Sequence, residues 1–244
     1  MKTDDKNKFQ NAKVLVVGAT GGIGSAFVEK IKQLDNNNVV IEVVRKKQHN
    51  HQIEVDMLDE QSMTQCAQEI HNQHGSIDII LNTVGLLHSD GAMPERALKE
   101  ITQDFLQKTF EANTFIPFMV SKYFIPLLSK ENTSLIAFMS ARIGSISDNN
   151  LGGWYSYRAS KAALNMLIKT LSIELSYKNK NAICIGLHPG TVKTNLSDPF
   201  SDKIKAYKVF SKEESIDYLV NQINRVDQTF SGKLIDWKGD IIPY

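Results

Sequence analysis

Lys13-Val14-Leu15-Val16-Val17-Gly18-Ala19-Thr20-Gly21-Gly22-Ile23-Gly24-Ser25-Ala26-Phe27-Val28 decides the fold of this 244-residue chain. Its first five residues are a short, β-branched apolar run that ends at a glycine, the pattern of a strand buried on both faces. From Ser25 to Leu34 the apolar residues recur at helical spacing. Between the two lies a turn with four glycines. One glycine permits a sharp strand-to-helix turn, another lets a pyrophosphate approach the backbone, and Gly24 lets helix and strand pack closely. The helix N-terminus then offers N–H donors and a positive dipole end to phosphate. A glycine-rich run is by itself only a turn. Placed after the first buried strand and before a helix, it implies dinucleotide binding.

Strand and helix patterns alternate along the rest of the chain. Asn36-Asn37-Asn38 breaks the first helix, and Val39 to Val44 reads as strand two. Gln52 to Asp56 is a short third strand, and Asp59 caps a helix that runs to about Gln73 and ends at Gly75. Ile77 to Asn82 is strand four. A long loop from Gly85 to about Glu95 follows, then helical patterning from Leu98 to about Leu128, with a bend and an end at Pro117 and Pro126. Ser134 to Ser140 is strand five, Tyr155 to about Tyr177 a long helix, and Ala182 to Leu187 strand six. A helix near Ser215 to Arg225 precedes a late strand at Gly232 to Trp237. This alternation implies an α/β fold, a doubly wound parallel sheet with right-handed crossovers and helices on both faces. No linker or internal repeat divides the chain, so one domain over residues 1–244 is expected, with 1–12 as a flexible N-terminus.

Composition excludes several function classes. Apolar residues make up 42%, charged residues 23%, and the formal net charge is +1 without a basic block. Neither nucleic acid nor an anionic membrane is implied as a partner. The polar start, Met1 to Lys8, lacks a signal-peptide core, and no segment reaches the ~20 apolar residues of a membrane span. Cys66 and Cys184 read as free buried thiols in a reducing cytoplasm. The six histidines form no cluster with metal-ligand spacing, and His71 and His74 read as a solvated face, so no metal is expected.

A second motif stands downstream. Tyr157 and Lys161 are four residues apart and project from one helix face. A phenol ionises near pH ~10, and a neighbouring ammonium lowers that value, which is one way to make an acid/base catalyst from tyrosine. As a pair alone, they equally describe an amphipathic helix with a snorkelling lysine.

Together, Gly18-x-x-x-Gly22-x-Gly24 and Tyr157-x-x-x-Lys161 resemble the short-chain dehydrogenase/reductase superfamily, from about Lys13 to Tyr244. Asn82-Thr83-Val84-Gly85 resembles the family's Asn-Asn-Ala-Gly element, with Thr83 and Val84 as departures. Asn113 falls where the family has its helix asparagine, and Pro189-Gly190-Thr191-Val192-Lys193-Thr194 resembles its Pro-Gly stretch beside nicotinamide. Gly144-Ser145-Ile146-Ser147 with Gly152-Gly153-Trp154-Tyr155-Ser156-Tyr157 further resembles the C-factor and sniffer-type carbonyl reductase branch.

The resemblance implies a Rossmann-type fold and an oxidoreductase that interconverts a carbonyl and a secondary alcohol by hydride transfer. Tyr157 would be the acid/base, Lys161 would lower its pKa and bond the nicotinamide ribose, and Asn113 would hold a water linking Lys161 to solvent. Gly18, Thr20, Gly22, Ile23 and Gly24 would hold the pyrophosphate, Asp56 and Met57 the adenine side. Asn82, Val84 and Gly85, then Pro189, Gly190, Val192 and Thr194, would line the rest of the cofactor. Strand two ends in Arg45 without a neighbouring carboxylate, which favours a 2′-phosphate and so NADP(H) over NAD(H). Against this stand a basic surface turn as the plain reading of Arg45-Lys46-Lys47 and the absence of a basic side chain at Gly21.

The polarising serine is displaced. Counting back three residues from Gly144 gives Ala141. Ser140 is taken as the replacement and Ser145 as its rival, although adjacent strand residues point to opposite faces. A small-molecule carbonyl or alcohol substrate and a homo-oligomer paired through the two long helices are expected. Substrate-pocket walls fall to Leu86–Glu95 and Ser197–Tyr207, with Trp154, Leu196 and Phe200 as apolar contributors. A second reading is a cofactor-binding regulatory or signalling protein with a vestigial site, favoured by Ala141 and the altered Asn82-Thr83-Val84-Gly85 element and opposed by the intact Asn113, Tyr157 and Lys161.

Overall fold

The computed structural model describes residues 7–89, 91–197, 199 and 208–244. Its centre is one eight-stranded sheet. In chain order the strands are β1 (Lys13–Val17), β2 (Val39–Val44), β3 (Ile53–Glu54), β4 (Ile79–Asn82), β5 (Ser134–Met139), β6 (Ala182–His188), β9 (Lys233–Asp236) and β10 (Ile241–Ile242). The spatial order is β10-β9-β6-β5-β4-β1-β2-β3. All neighbours are parallel except β10, which runs antiparallel to β9. A separate parallel pair, β7 (Thr191–Val192) with β8 (Val209–Phe210), has no counterpart in the sequence pattern.

The helices are α1 (Gly22–Leu34), α2 (Glu60–His74), α3 (Gln103–Phe110), α4 (Ile116–Phe124), α5 (Tyr155–Lys178) and α6 (Lys212–Arg225). They cover both faces because each strand alternates. Val14 and Val16 of β1, with Leu135, Ala137 and Met139 of β5, meet Phe27 and Ile31 of α1 and Leu219 and Ile223 of α6. Leu15, Val17, Ile136 and Phe138 turn the other way, onto Met63 and Ile70 of α2, Phe124 of α4 and Leu164, Ile168 and Leu175 of α5. Burying each such side chain stabilises by about 1.5–3 kcal/mol.

The caps read from sequence form as physical chemistry requires. Asp59 accepts a hydrogen bond from the Ser62 N–H at 2.6 Å, and Gly75 ends α2 in the left-handed region at φ 69°. The helical stretch from Leu98 to Leu128, expected to bend at Pro117 and end at Pro126, is divided further. A 3₁₀ turn at Leu98–Glu100, α3, a π-turn at Glu111–Phe115, α4 and a 3₁₀ turn at Ile125–Leu127 follow in series. Pro117 directly follows the π-turn, within a continuous run of helical backbone. Residues 7–12, expected within a flexible N-terminus, are packed: Phe9 is fully buried, and the Lys8 ammonium donates to the Asn224 and Val226 carbonyls. Cys66 and Cys184 are free and buried. Phe200 and residues 201–207, expected to shape a pocket, lie outside the described residues. Among the described residues no helix is long and apolar enough to cross a membrane.

From β1 the chain moves outward to β2 and β3, then returns to β4 on the other side of β1. That reversal opens a crevice at the carboxyl ends of β1 and β4, where open α/β sheets bind ligands.

Candidate active site

Four strand ends converge on this crevice: Gly18 after β1, Thr83 after β4, Ser140 after β5 and Pro189 after β6. The glycine turn is built for close approach. Gly18 adopts φ 82°, and its N–H bonds the Val43 carbonyl at 2.9 Å. A Cβ on Gly24 would lie 2.2 Å from the Gly18 carbonyl oxygen, so only glycine fits there. Gly22 faces Thr194, whose Cγ2 would meet a Cβ at 2.8 Å, so the segment after β7 closes over the turn. Helix α1 has neither a side-chain cap nor an acidic residue in its first turn. The N–H groups of Gly22, Ile23 and Gly24 therefore have no partner within the helix. A narrow, backbone-lined cradle on a helix N-terminus fits a pyrophosphate.

Thr83, a departure from the family pattern, braces this cradle. Its hydroxyl lies 2.8 Å from the Val17 carbonyl and 3.2 Å from that of Gly18, tying β4 to the turn. The Asn82 side chain accepts from the Val84 N–H, ordering the segment that leads to Gly85. Arg45 is exposed just past β2, Asp56 is exposed past β3 with its carboxylate on the Leu58 N–H, and Met57 is buried. Thr20 is exposed at the rim of the turn. Gly190 sits at φ 78° against Phe210, fixing the path of Pro189 to Val192.

Tyr157 and Lys161 occupy successive turns of α5, and both are buried. The Lys161 ammonium donates to the Met139 carbonyl at the end of β5, 2.9 Å away, and lies 5.8 Å from the centre of the Tyr157 ring. A Cβ on Gly85 would stand 3.6 Å from that ammonium and 3.4 Å from Asn113 Oδ1, which brings the end of β4, the π-turn and α5 together. Gly144 packs directly on the Lys161 backbone, where a Cβ would lie 2.8 Å from Lys161 Cβ.

Asn113 sits in the π-turn, a distortion frequent at functional sites. Its Oδ1 accepts from the Leu86 N–H, and its Nδ2 donates to the Leu86 carbonyl and the Ser160 hydroxyl. The side chain thus fastens the loop after β4 to α5.

One expectation is corrected here. The Ser140 hydroxyl donates to Asn165 Oδ1 at 2.7 Å, and Asn165 in turn holds the Gly144 carbonyl. Pleating sends Ser140 to the α5 face with Ile136 and Phe138. Its proton is committed there, so this geometry does not give it the polarising role. Ser145 is buried, and its oxygen accepts from the Asp148 N–H. Ala141 stands at the position counted from Gly144. Both members of the acid/base pair are desolvated. Burial raises the Tyr157 phenol above its ordinary value, and burial lowers Lys161 to about 7. Desolvation disfavours the charged form of each group.

The sequence reading passed over two residues. His188 ends β6 before Pro189; burial and the nearby Arg142 hold its imidazole at about 4, and its Nδ1 is buried without a partner among the described residues. Glu95 is only 1% exposed, with its carboxylate on Ser156. A single histidine at the end of an apolar strand, or a single glutamate in a loop, carries no spacing that would mark either.

Known proteins bear on this geometry. A family model described as short chain dehydrogenase matches residues 12–205. An uncharacterized oxidoreductase of Schizosaccharomyces pombe is 26% identical over 96% of this chain and 98% of its own length. The C-signal of Myxococcus xanthus is 28% identical over 70% of this chain and 94% of its own. Among solved structures, an NADPH-bound carbonyl reductase from chicken fatty liver superposes with TM-score 0.81 at 24% identity, covering 96% of this chain and 99% of that one. The carbonyl reductase Sniffer of D. melanogaster gives TM-score 0.75 at 20% identity over 96% and 100%. The structures speak for the fold, and the family model for descent. The chain belongs to the short-chain dehydrogenase/reductase family, as an NAD(P)-dependent oxidoreductase.

Proposed function

We propose that this protein reduces a small-molecule carbonyl to a secondary alcohol, or runs the reverse reaction, with NADP(H) preferred over NAD(H). The observation that carries this reading is the buried Tyr157–Lys161 pair, held at the strand ends beside the glycine cradle. Gly18, Thr20, Gly22, Ile23 and Gly24 would hold the pyrophosphate, with Thr194 closing over it. Arg45 would meet a 2′-phosphate, Asp56 and Met57 the adenine side, and Asn82, Val84, Gly85, Pro189, Gly190 and Val192 the remainder. The bound nicotinamide would supply the hydride.

Tyr157, kept protonated by burial, is the proton donor to the carbonyl oxygen in the reductive direction. Lys161, poised near neutrality, shares its helix face and is suited to return a proton to the phenolate. Asn113 anchors the loop after β4 beside them.

A panel of ketones assayed with NADPH and with NADH tests the reading. Turnover of at least one compound is expected, with NADPH binding about tenfold more tightly than NADH, the scale of one charge-assisted contact. Tighter binding of NADH would overturn the NADP(H) preference. The altered position 141 favours the second reading, a cofactor-binding protein with a vestigial site; cofactor binding with no turnover across the panel would support it instead.

Ala141→Ser offers a gain-of-function test. An oriented donor at the developing alkoxide contributes about 10²–10³ in rate, and a newly placed hydroxyl should recover roughly tenfold in kcat/KM. An unchanged or lower value would mean that another group already fills the role.

A further inference from the structure

Glu95 lies on the loop between β4 and α3, far in sequence from α5, yet its side chain is directed onto the first turn of that helix. Its carboxylate accepts from the Ser156 N–H at 3.1 Å and from the Ser156 hydroxyl, and its main-chain carbonyl accepts from the Trp154 N–H. Helix α5 has no side-chain cap of its own and no acidic residue in its first turn. Glu95 supplies what is missing, a hydrogen-bond acceptor and a negative charge where the helix dipole is positive. Among the described residues no lysine or arginine lies within 4.0 Å of it in an ion pair. Ser156 and the helix end are therefore the groups that make its burial tolerable.

The segment that Glu95 holds is strained. Gly152, Gly153 and Trp154 lie in succession at φ 63°, 65° and 50°. Glycine accepts this freely, but a bulky side chain at φ 50° persists only when its surroundings impose it. They do so from two sides. Arg158 Nε donates to the Gly152 and Gly153 carbonyls at 3.2 and 3.0 Å, while Glu95 holds Trp154 and Ser156. The Trp154 ring then meets Tyr157 edge-on, with centroids 6.2 Å apart. At its other end, the loop that carries Glu95 is fastened through Leu86 to Asn113.

We propose that Glu95 is a positioning residue for Tyr157: by clamping Trp154 and Ser156 it sets the phenol, and it couples the β4–α3 loop to the proton donor. The inference rests on Tyr157 being that donor.

The test uses the full-length protein, NADPH and para-nitroacetophenone as the probe carbonyl. Glu95→Ala is expected to lower kcat about 100-fold, the cost of a small misplacement of a reacting group, with KM and the NADPH Kd held within about threefold. Glu95→Gln, which keeps an acceptor for Ser156, should restore kcat to within roughly fivefold of wild type. In a Trp237→Phe background, Trp154 emission should move to longer wavelength in the Ala variant and stay in place in the Gln variant. Unchanged kcat and emission in Glu95→Ala would overturn the proposal. So would a joint loss of cofactor binding, thermal stability and kcat that Gln does not rescue, since that marks a purely structural role. If Glu95→Ala does not fold, the Gln variant decides: a shift in emission with kcat unchanged, or lost kcat with emission unchanged, overturns the coupling, whereas the two held or lost together support it. If wild type fails to turn over the ketone, the reading of the reaction fails on that probe, while the emission comparison still judges the clamp.

Discussion

Tyr157→Phe is expected to lower kcat for carbonyl reduction about 10³-fold, within the range that one positioned general acid contributes. The ring is conserved, so its edge-on contact with Trp154 survives, and the NADPH Kd should stay within about threefold. The effect should fall on kcat because the hydroxyl does its work on charge that develops only in the transition state. Stopped-flow reduction with NADPH, beside a fluorescence titration of the cofactor, separates the two quantities. A variant that retains more than about a tenth of wild-type kcat would remove Tyr157 from the proton-transfer step.

Lys161→Met should show two opposed effects: activity falls about 100-fold, while stability rises at neutral and acidic pH. Burial holds the folded-state value of Lys161 at about 7, against an ordinary 10.5. Between these values the unfolded chain carries a proton that the folded protein lacks. Stability from this group therefore rises with pH from about 7 to about 10.5, and below 7 the folded state bears the full cost of a buried ammonium. Methionine removes that cost and keeps most of the side-chain volume, although the bond to the Met139 carbonyl is lost. The melting temperature of the variant should exceed wild type by roughly 5 °C at pH 6, and the gap should shrink by pH 9. Tyr157, raised by burial, titrates above this window, and His188, at about 4, titrates below it. A gap that is equal at both pH values would show that Lys161 is not the group responsible.

How much was legible depended on how local each determinant is. Val39–Val44, the Asp59 cap and the Gly75 stop follow from neighbouring residues, and the structure has them at those positions. The Gly24 requirement is also local, because a turn between a strand and the helix packed on it forces close approach. The π-turn at Glu111–Phe115 was not legible. Apolar spacing there continues as if one helix ran through, and the extra backbone residue is chosen by packing of Asn113 onto Leu86 and Ser160. Ser140 shows the same limit. Alternation argued that it could not take the place of Ala141, but only the distant Asn165 shows where its proton goes.

The sequence by itself determined the alternation of β1 to β6 and β9 with their helices, the glycine cradle and the Tyr157–Lys161 spacing, because each rests on contacts within a few residues. Tertiary structure alone decided the electrostatics and the bracing. The values of Tyr157 and Lys161 reflect burial, a property of the whole packed sheet and its helices. Glu95 and Thr83 gain their positions from partners 61 and 66 residues away, and His188 is set beside Arg142 and Asp236, which belong to other elements. Such pairings leave no periodicity for a reader of one chain to find, since side chains that meet only through the fold need share no spacing in sequence.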